Sequence, residues 1–444
     1  MKTEMKVSIG KVMSSIVLIL MVMLFFAGCG RKTQEESNDA LVDLMAGITS
    51  NDAEQKNIDL SLMEESSIAV TDFSVKLFQD SLSERENTLV SPITVLYALA
   101  MTANGAEGES LAQMEEAIGL SREEMNDYLY AYRSQMQEKV NNKCTVELVN
   151  SIWLKEDESL LVEQDFLQTN ADYYDADIYQ LPFDEAAVRS VNDWVSEGTD
   201  GTIDEILTQM PENAAMYLIS ATIMDAQWSE PYDSRQVREG VFTKEDGTTC
   251  QAEFMYETEY NKYLKDDNAQ GFYKYYAGYG YAFAVLLPDE GTSVSDYAAS
   301  LTGDKLHNIL SDDDKTLVQV NTAIPKFETA YETEMSDILK EMGMEDVFDG
   351  SKADFSGIGA YIGADGEKNL VINQLLHETY IAVNEQGTKA GAAAVEEACA
   401  EAEEPEEMEI KTVYLDRPFI YMIIDRESKV PVFMGTVMEV QSQS

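Results

Sequence analysis

Two periodicities of hydrophobic and polar positions alternate along the chain after residue 64. Apolar side chains recur at helical spacing in residues 65–78, again in 92–104, and in the amphipathic stretch 187–197 that contains Trp194. Pro92 directly after Ser91 is typical of a helix start, and Gly105 of a helix end. These segments predict helices.

Between the helical segments lie runs rich in β-branched and aromatic residues. Val146–Leu154, Met216–Trp228 and Leu370–Glu378 predict buried strands, and residues 242–288 alternate as antiparallel hairpins do. From Thr412 onward the chain again has the composition of strands. Segments with helical and with strand patterns therefore alternate along the chain.

One stretch fits neither pattern. Seven of the nine residues from Gly387 to Val395 are small, and eight glutamates follow between Glu396 and Glu409. An exposed, partly disordered acidic loop is one interpretation. The other is a loop that later becomes a strand, because a segment that slides between two packed strands can carry only small side chains.

Composition limits the classes of function. The formal net charge of −51 argues against binding to nucleic acid or to anionic lipid, and suits an extracellular protein that attracts basic partners. The two histidines, His307 and His377, and the scattered cysteines Cys144, Cys250 and Cys399 form no metal, disulfide or hydrolase motif. We therefore expect no enzyme activity, no metal and no cofactor.

The first 28 residues have the pattern of an export signal. Three lysines precede an apolar run at residues 16–27, which is too short to span a membrane. The sequence Ala27-Gly28-Cys29 resembles a bacterial lipoprotein box, which implies lipidation of Cys29 and an anchor in the outer face of the cell membrane. Secretion after cleavage is the alternative. The polar, acidic residues 29–63 predict a flexible tether.

Several motifs in order resemble one family. Asn384–Ala394, N-E-Q-G-T-K-A-G-A-A-A, resembles the hinge of the reactive loop of serpins, and Asp416–Phe419 and Pro431–Val437 resemble the closing signature of that family. Further serpin-like segments are residues 87–110, 191–203, 324–327, 342–348 and 353–358. The chain departs from the family where Ser220, Met224 and Asp225-Ala226 replace the usual Asn, Phe and Lys-Gly.

The resemblance, which covers about residues 65–440, implies an α+β fold, that of the serpins. We expect a single domain at residues 64–444 with three β-sheets, of which a large mixed sheet A is the main one, and eight or nine helices. The reactive loop would be exposed at about residues 385–411. A monomer is expected.

The resemblance also implies a suicide-substrate inhibitor of serine or cysteine endopeptidases, whose cleaved loop inserts into sheet A as a new strand. The hinge residues implied are Glu385, Gly387, Thr388, Ala390, Ala392 and Ala394. If Thr388 faces the core, the two-residue period of a strand turns small residues inward, except for Glu396.

The scissile bond follows from the family's usual spacing. Counting seventeen residues from Glu385 places it between Glu401 and Ala402, within a wider range of Cys399 to Glu404. A glutamate there implies a glutamyl endopeptidase with a basic pocket, and an alanine or cysteine an elastase-like protease. The alternative function is a non-inhibitory surface lipoprotein that serves in binding or adhesion.

Overall fold

The structure is a computed structural model, and it describes residues 41–51, 63–157, 159–211, 214–311, 318–363, 366–368, 370–388 and 410–440. In these residues the helices are α1 (Glu64–Asp80), α2 (Pro92–Ala103), α3 (Gly108–Ile118), α4 (Arg122–Lys139), α5 (Gln164–Tyr174), α6 (Glu185–Gly198), α7 (Val294–Ala299), α8 (Gly303–Ser311) and α9 (Ser336–Glu341).

The strands are β1 (Val42–Asp43), β2 (Thr88–Val90), β3 (Cys144–Lys155), β4 (Leu160–Val162), β5 (Asp177–Leu181), β6 (Met216–Gln227), β7 (Val237–Thr243), β8 (Thr249–Asn261), β9 (Tyr263–Lys265), β10 (Ala269–Tyr275), β11 (Tyr281–Pro288), β12 (Val318–Pro325), β13 (Phe327–Glu334), β14 (Gly359–Gly363), β15 (Gly366–Lys368), β16 (Ile372–Val383), β17 (Gly387–Thr388), β18 (Ile410–Tyr414), β19 (Phe419–Asp425) and β20 (Pro431–Val437).

Sheet A is the largest sheet of the described residues, with the order β1-β5-β3-β6-β17-β16-β13. It is mixed, because β3 and β6 run antiparallel while β6 and β16 run parallel. Sheet B has the order β2-β20-β19-β11-β10-β9 and sheet C the order β18-β12-β8-β7. A small three-stranded sheet of β15, β14 and β4 accompanies the three that the sequence predicts.

Sheet A is packed on both faces. One face packs against the main core, which contains helix α2. All residues of α2 are buried. Helix α6 lies on the other face, where Ala187, Val191 and Val195 pack against sheet residues such as Trp153. The α+β fold, the large mixed sheet A and the strands predicted from the sequence are confirmed.

Helix α2 begins as the sequence predicts, with Ser91 before it and Pro92 in its first turn. The Ser91 hydroxyl nevertheless does not cap the helix, because it bonds the carbonyl oxygen of Val432 in β20 at 2.8 Å. Ser91 therefore ties the start of α2 to sheet B.

Part of the segment predicted as a flexible tether, residues 29–63, packs against the domain. Val42 and Asp43 pair with Gln180 and Tyr179 of β5 and extend the edge of sheet A. Leu44, Met45 and Ile48 contact the main core. Residues 41–51 thus provide an edge strand that the mainly acidic composition of the segment does not reveal, and the flexible tether at residues 29–63 stays a prediction. None of the helices in the described ranges is both long and apolar enough to cross a membrane.

Candidate hinge and strand-insertion site

Strands β6 and β16 separate at one end of sheet A. They pair directly in parallel as far as Thr222 and Thr379. Beyond that point the two-residue strand β17 lies between them, and its Thr388 pairs with Val383 on one side and with Ala226 on the other. Strands β6 and β16 therefore pair directly along part of their length and then separate into a fork. The start of a third strand, β17, already lies in this fork.

The side chain of Thr388 faces the core. It is fully buried, and its hydroxyl lies 2.5 Å from that of Tyr276. The Tyr276 ring stacks on Trp228 with ring centroids 4.6 Å apart. This aromatic pair fixes which face of β17 points inward, and Thr388 has here the orientation that the sequence analysis assumes for it after insertion.

Gly387 allows β17 to approach β6 closely. A Cβ atom at this position would lie 1.9 Å from the carbonyl oxygen of Ala226 and 2.8 Å from Cα of Gln227. Both obstacles are backbone atoms, which cannot rotate away. Any other residue here would push β17 out of the fork.

A tight turn joins β16 to β17. The side-chain oxygen of Asn384 accepts hydrogen bonds from the backbone N–H groups of Gln386, at 2.8 Å, and Gly387, at 3.3 Å. Trp228 fastens this turn to β6, because its indole N–H donates to the Asn384 carbonyl at 2.9 Å and its backbone N–H to the Gln386 carbonyl at 2.8 Å. The turn is thus held by the side chain of its own Asn384 and by hydrogen bonds from Trp228.

A lysine between two glutamates holds the first hinge residue. Lys326 Nζ lies 2.7 Å from a carboxylate oxygen of Glu385 and 3.2 Å from one of Glu253. Burial lowers the pKa of Lys326, but the two carboxylates outweigh it and raise that pKa. Burial also acts to raise the pKa of Glu385, and the Lys326 ammonium lowers it overall. The contact between Lys326 and Glu385 therefore favours the charged form of both side chains.

Below the fork, a buried histidine bridges β16 to β6. The backbone N–H of Ser91 donates to His377 Nε2 at 3.0 Å, so Nδ1 carries the proton and donates to the Ser220 hydroxyl at 3.1 Å. Ser220, a departure from the family pattern, thus still supplies a partner for this ring. Complete burial lowers the pKa of His377 to about 3.

This low pKa predicts acid sensitivity. Between about pH 6.5 and 3 the unfolded chain binds a proton that the folded His377 refuses, so the free energy of unfolding falls as pH falls through that window. From pH 6.5 to pH 4 we expect His377 to account for a loss of roughly 3 kcal/mol. Urea titrations of the wild type and of His377→Gln at both pH values measure it, because glutamine can keep the two hydrogen bonds but does not titrate.

The comparison of the wild type with His377→Gln is necessary because the neighbouring Glu378 also contributes to the pH dependence of stability. Burial, with the charge of Glu332 opposite it on β13, raises the pKa of Glu378 to about 7. Its effect has the opposite sign: stability falls as pH rises from about 4.5 to 7. Only the difference between the wild type and the glutamine variant isolates His377, and equal pH slopes for the two proteins would refute its role.

The predicted hinge residues fall in two groups. Glu385, Gly387 and Thr388 lie together at the fork, in the contacts described above. The hinge residues Ala390, Ala392 and Ala394, the scissile pair Glu401 and Ala402, and the lipidation residue Cys29 lie outside the described residues.

Sequence reasoning missed three residues that build the fork, namely Lys326, Trp228 and Tyr276. The I-P-K-F motif at residues 324–327 marks the position of Lys326, but its partners stand more than fifty residues away on either side. The signal for Trp228 and Tyr276 was only their aromatic character. Their pairing arises from the crossing of sheets A and B.

One group of acidic side chains in the described residues could hold a cation. Carboxylate oxygens of Glu230, Glu257 and Glu259 all lie within 4.8 Å of one another. The ammonium of Lys274, itself buried, bonds Glu257 and lies 3.8 Å from Glu259. This lysine already supplies positive charge where a metal would bind.

In the described residues the protein is an α+β protein whose large mixed sheet separates around the first two residues of a further strand. Residues 68–440 match the family model described as "Serpin (serine protease inhibitor)". Among curated proteins, human Serpin B9 is 29% identical over 390 residues, which cover 84% of this chain and 99% of that protein. The leukocyte elastase inhibitor of Equus caballus is 27% identical over 389 residues, with the same two coverages. The chain belongs to the serpin family.

Solved structures agree with this assignment. The thermophilic serpin tengpin in its native state has a TM-score of 0.82 and 40% sequence identity, and the match covers 90% of this chain and 100% of tengpin. Tengpin in its latent state has a TM-score of 0.72 and 38% identity, over 87% of this chain and 100% of that one. The present structure therefore superposes better on the native state than on the latent state.

Proposed function

We propose that this chain inhibits a serine endopeptidase by offering its reactive loop as a substrate and then inserting the cleaved loop between β6 and β16. Serpins are generally protease inhibitors, although some are not. The observation that carries the proposal is the fork, where Thr388 already pairs with both flanking strands. A cut in the loop would free the residues after Thr388 to continue that strand.

The register at the fork supports the proposal. Extended from Thr388 in the same antiparallel register, position 392 would lie between Thr222 and Thr379, and position 394 between Ser220 and His377. Both positions are alanine, so the strand would bring little volume to the centre of the sheet. It would also replace the hydrogen bond between Ser220 and His377 with two new strand pairings.

One position favours the alternative of a non-inhibitory serpin that serves as a binding or adhesion protein. In the same register Glu396 would lie between Leu218 and Leu375, both fully buried. A carboxylate there would cost several kcal/mol unless it were protonated or paired. Insertion that stops before position 396 would leave the protease undistorted and free to complete hydrolysis.

Incubation with proteases distinguishes the two functions. A glutamyl endopeptidase is one first choice, because the proposed scissile bond follows Glu401. An elastase-like serine protease is the other, because alanine and cysteine also lie in the range from Cys399 to Glu404, and a cysteine protease is a third. The inhibitor should form a covalent complex that survives SDS and runs at the summed mass less that of the fragment after the cut bond, which SDS releases. Cleavage of the loop with no such complex for any of the three would favour the binding protein.

We further propose that the protein is held at the cell surface by lipid on Cys29, and that secretion without an anchor is the alternative. The support is the sequence Ala27-Gly28-Cys29 after an apolar run. A Cys29→Ser variant should move from the membrane fraction of a bacterial host to the medium or the periplasm. If the wild type is itself found outside the membrane fraction, the anchor is refuted.

A further inference from the structure

A cavity of about 580 Å³ lies where the edge of sheet A steps inward. Strand β5 pairs with β3 only from Ser151 onward, so in the described residues the first half of β3 has no strand beside it on that side. Helix α4, the end of α5 and the last turn of α6 also contribute to the walls. The volume is within the range of small-molecule sites, roughly 300 to 1,000 Å³.

Aromatic rings form much of the wall, from Tyr97, Tyr174, Tyr179 and Trp194. Two of their hydroxyls are already used, because Tyr97 donates to the Leu129 carbonyl at 2.8 Å and Tyr174 to Asn126 at 2.6 Å. These tyrosines therefore offer a ligand ring surface and no donor. Ring faces attract apolar groups and cations alike.

The polar groups of the cavity are mostly acceptors. Four carboxylates line it, those of Glu147, Asp175, Asp177 and Glu197. The cation among the lining residues is Arg133, whose guanidinium lies 3.6 Å from Asp175. The side-chain oxygen of Asn150, which also lines the cavity, is buried without a hydrogen-bond partner. A ligand that fits must therefore bring donors and positive charge.

Asp177 shows the same imbalance. Burial raises its pKa, hydrogen bonds from Tyr179 and Trp194 offset part of the rise, and the charges of Asp43 and Asp175 add to it. A cation in the cavity would stabilise the ionised form of this carboxyl group. The ring surfaces and the excess of carboxylates over cations thus point to the same chemistry.

We propose that this cavity binds an organic cation, an ammonium or guanidinium group carried on an apolar or aromatic body. The cationic group would face the carboxylates, and the body would lie against the rings. Inorganic cations would meet the same charges but would leave the rings unused. The proposal is independent of protease inhibition, because the described part of the loop does not line the cavity.

Isothermal titration with two matched probes tests the proposal at neutral pH and 0.15 M salt. The cation is 2-phenylethylguanidinium, and N-(2-phenylethyl)urea is its neutral counterpart of nearly equal shape. We expect saturable binding of one guanidinium per chain, at least tenfold tighter than that of the urea. Equal affinity for the two probes, or no saturable binding at millimolar concentration, would overturn the proposal.

Two variants locate the binding. Asp177→Asn combined with Glu197→Gln should reduce the preference for guanidinium to below threefold and leave the urea affinity unchanged, whereas Asp267→Asn, an exposed carboxylate elsewhere, should change neither. Val140→Trp, at a half-exposed lining position, should weaken both probes at least tenfold and does not depend on the folding of the double variant. If Asp267→Asn weakens guanidinium as much as the double variant does, binding is to the acidic surface in general and the cavity is excluded.

Discussion

Cleavage of the reactive loop is expected to raise the melting temperature of this protein by about 15 °C. Insertion after Thr388 would add about a dozen backbone hydrogen bonds, each worth about 1 kcal/mol net. For a domain of this size the entropy of unfolding is roughly 0.8 kcal/mol/K, so about 12 kcal/mol corresponds to that shift. Differential scanning calorimetry of the intact and the cleaved protein measures it.

The same sample locates the cut. The mass of the fragment that remains bound fixes the scissile bond, which we place between Glu401 and Ala402. A sample incubated with protease that has been inactivated beforehand is the control for handling. If the cut protein melts at the same temperature as the intact one, the loop has not entered the sheet and the proposed mechanism is refuted.

Thr388→Arg is expected to turn the inhibitor into a plain substrate. Thr388 is fully buried against Tyr276, and a guanidinium in its place would have no partner and would cost several kcal/mol. The first pairing of the inserting strand would be lost, so the protease would complete hydrolysis before it was distorted. We expect the number of inhibitor molecules consumed per protease trapped to rise at least tenfold.

Two further variants serve as controls for this result. Thr243→Arg adds the same charge at an exposed position of β7 and should inhibit as the wild type does. Thr388→Val keeps the shape, loses only the hydrogen bond to Tyr276, and should retain most of the complex. Each variant is first checked for a cooperative melt. An undiminished yield of complex from Thr388→Arg would show that insertion does not begin at this residue.

The strands and helices could be predicted because their patterns are local. Val146–Leu154 and Met216–Trp228 carry enough β-branched residues to indicate strands by themselves, and β3 and β6 cover them within a few residues. The inward orientation of Thr388 was an assumption, and the period of a strand gave only the faces of the residues after it. The secondary structure of a single segment was therefore predictable.

Contacts between distant segments could not be predicted from the sequence. Lys326 meets Glu253 and Glu385 only because three separate elements converge at the fork. Val42 pairs with Gln180 although 137 residues lie between them, and neither has a local feature that identifies its partner. Ser220 retains the partner role of an asparagine because the His377 ring lies within reach of a shorter side chain. Such facts depend on geometry that only the assembled sheets provide.

The short strand β17 has a kinetic consequence. The costly first step of adding a strand, nucleation, is already complete at Thr388, since that residue pairs with Val383 and Ala226 before any protease arrives. In the proposed mechanism, residues 389–391 would first fill the part of the fork where β6 and β16 do not pair with each other. From position 392, next to Thr222 and Thr379, each further residue would displace one direct pairing between β6 and β16 and form its own in the same movement. The process resembles branch migration in nucleic acids, in which an invading strand advances by exchanging one pair at a time.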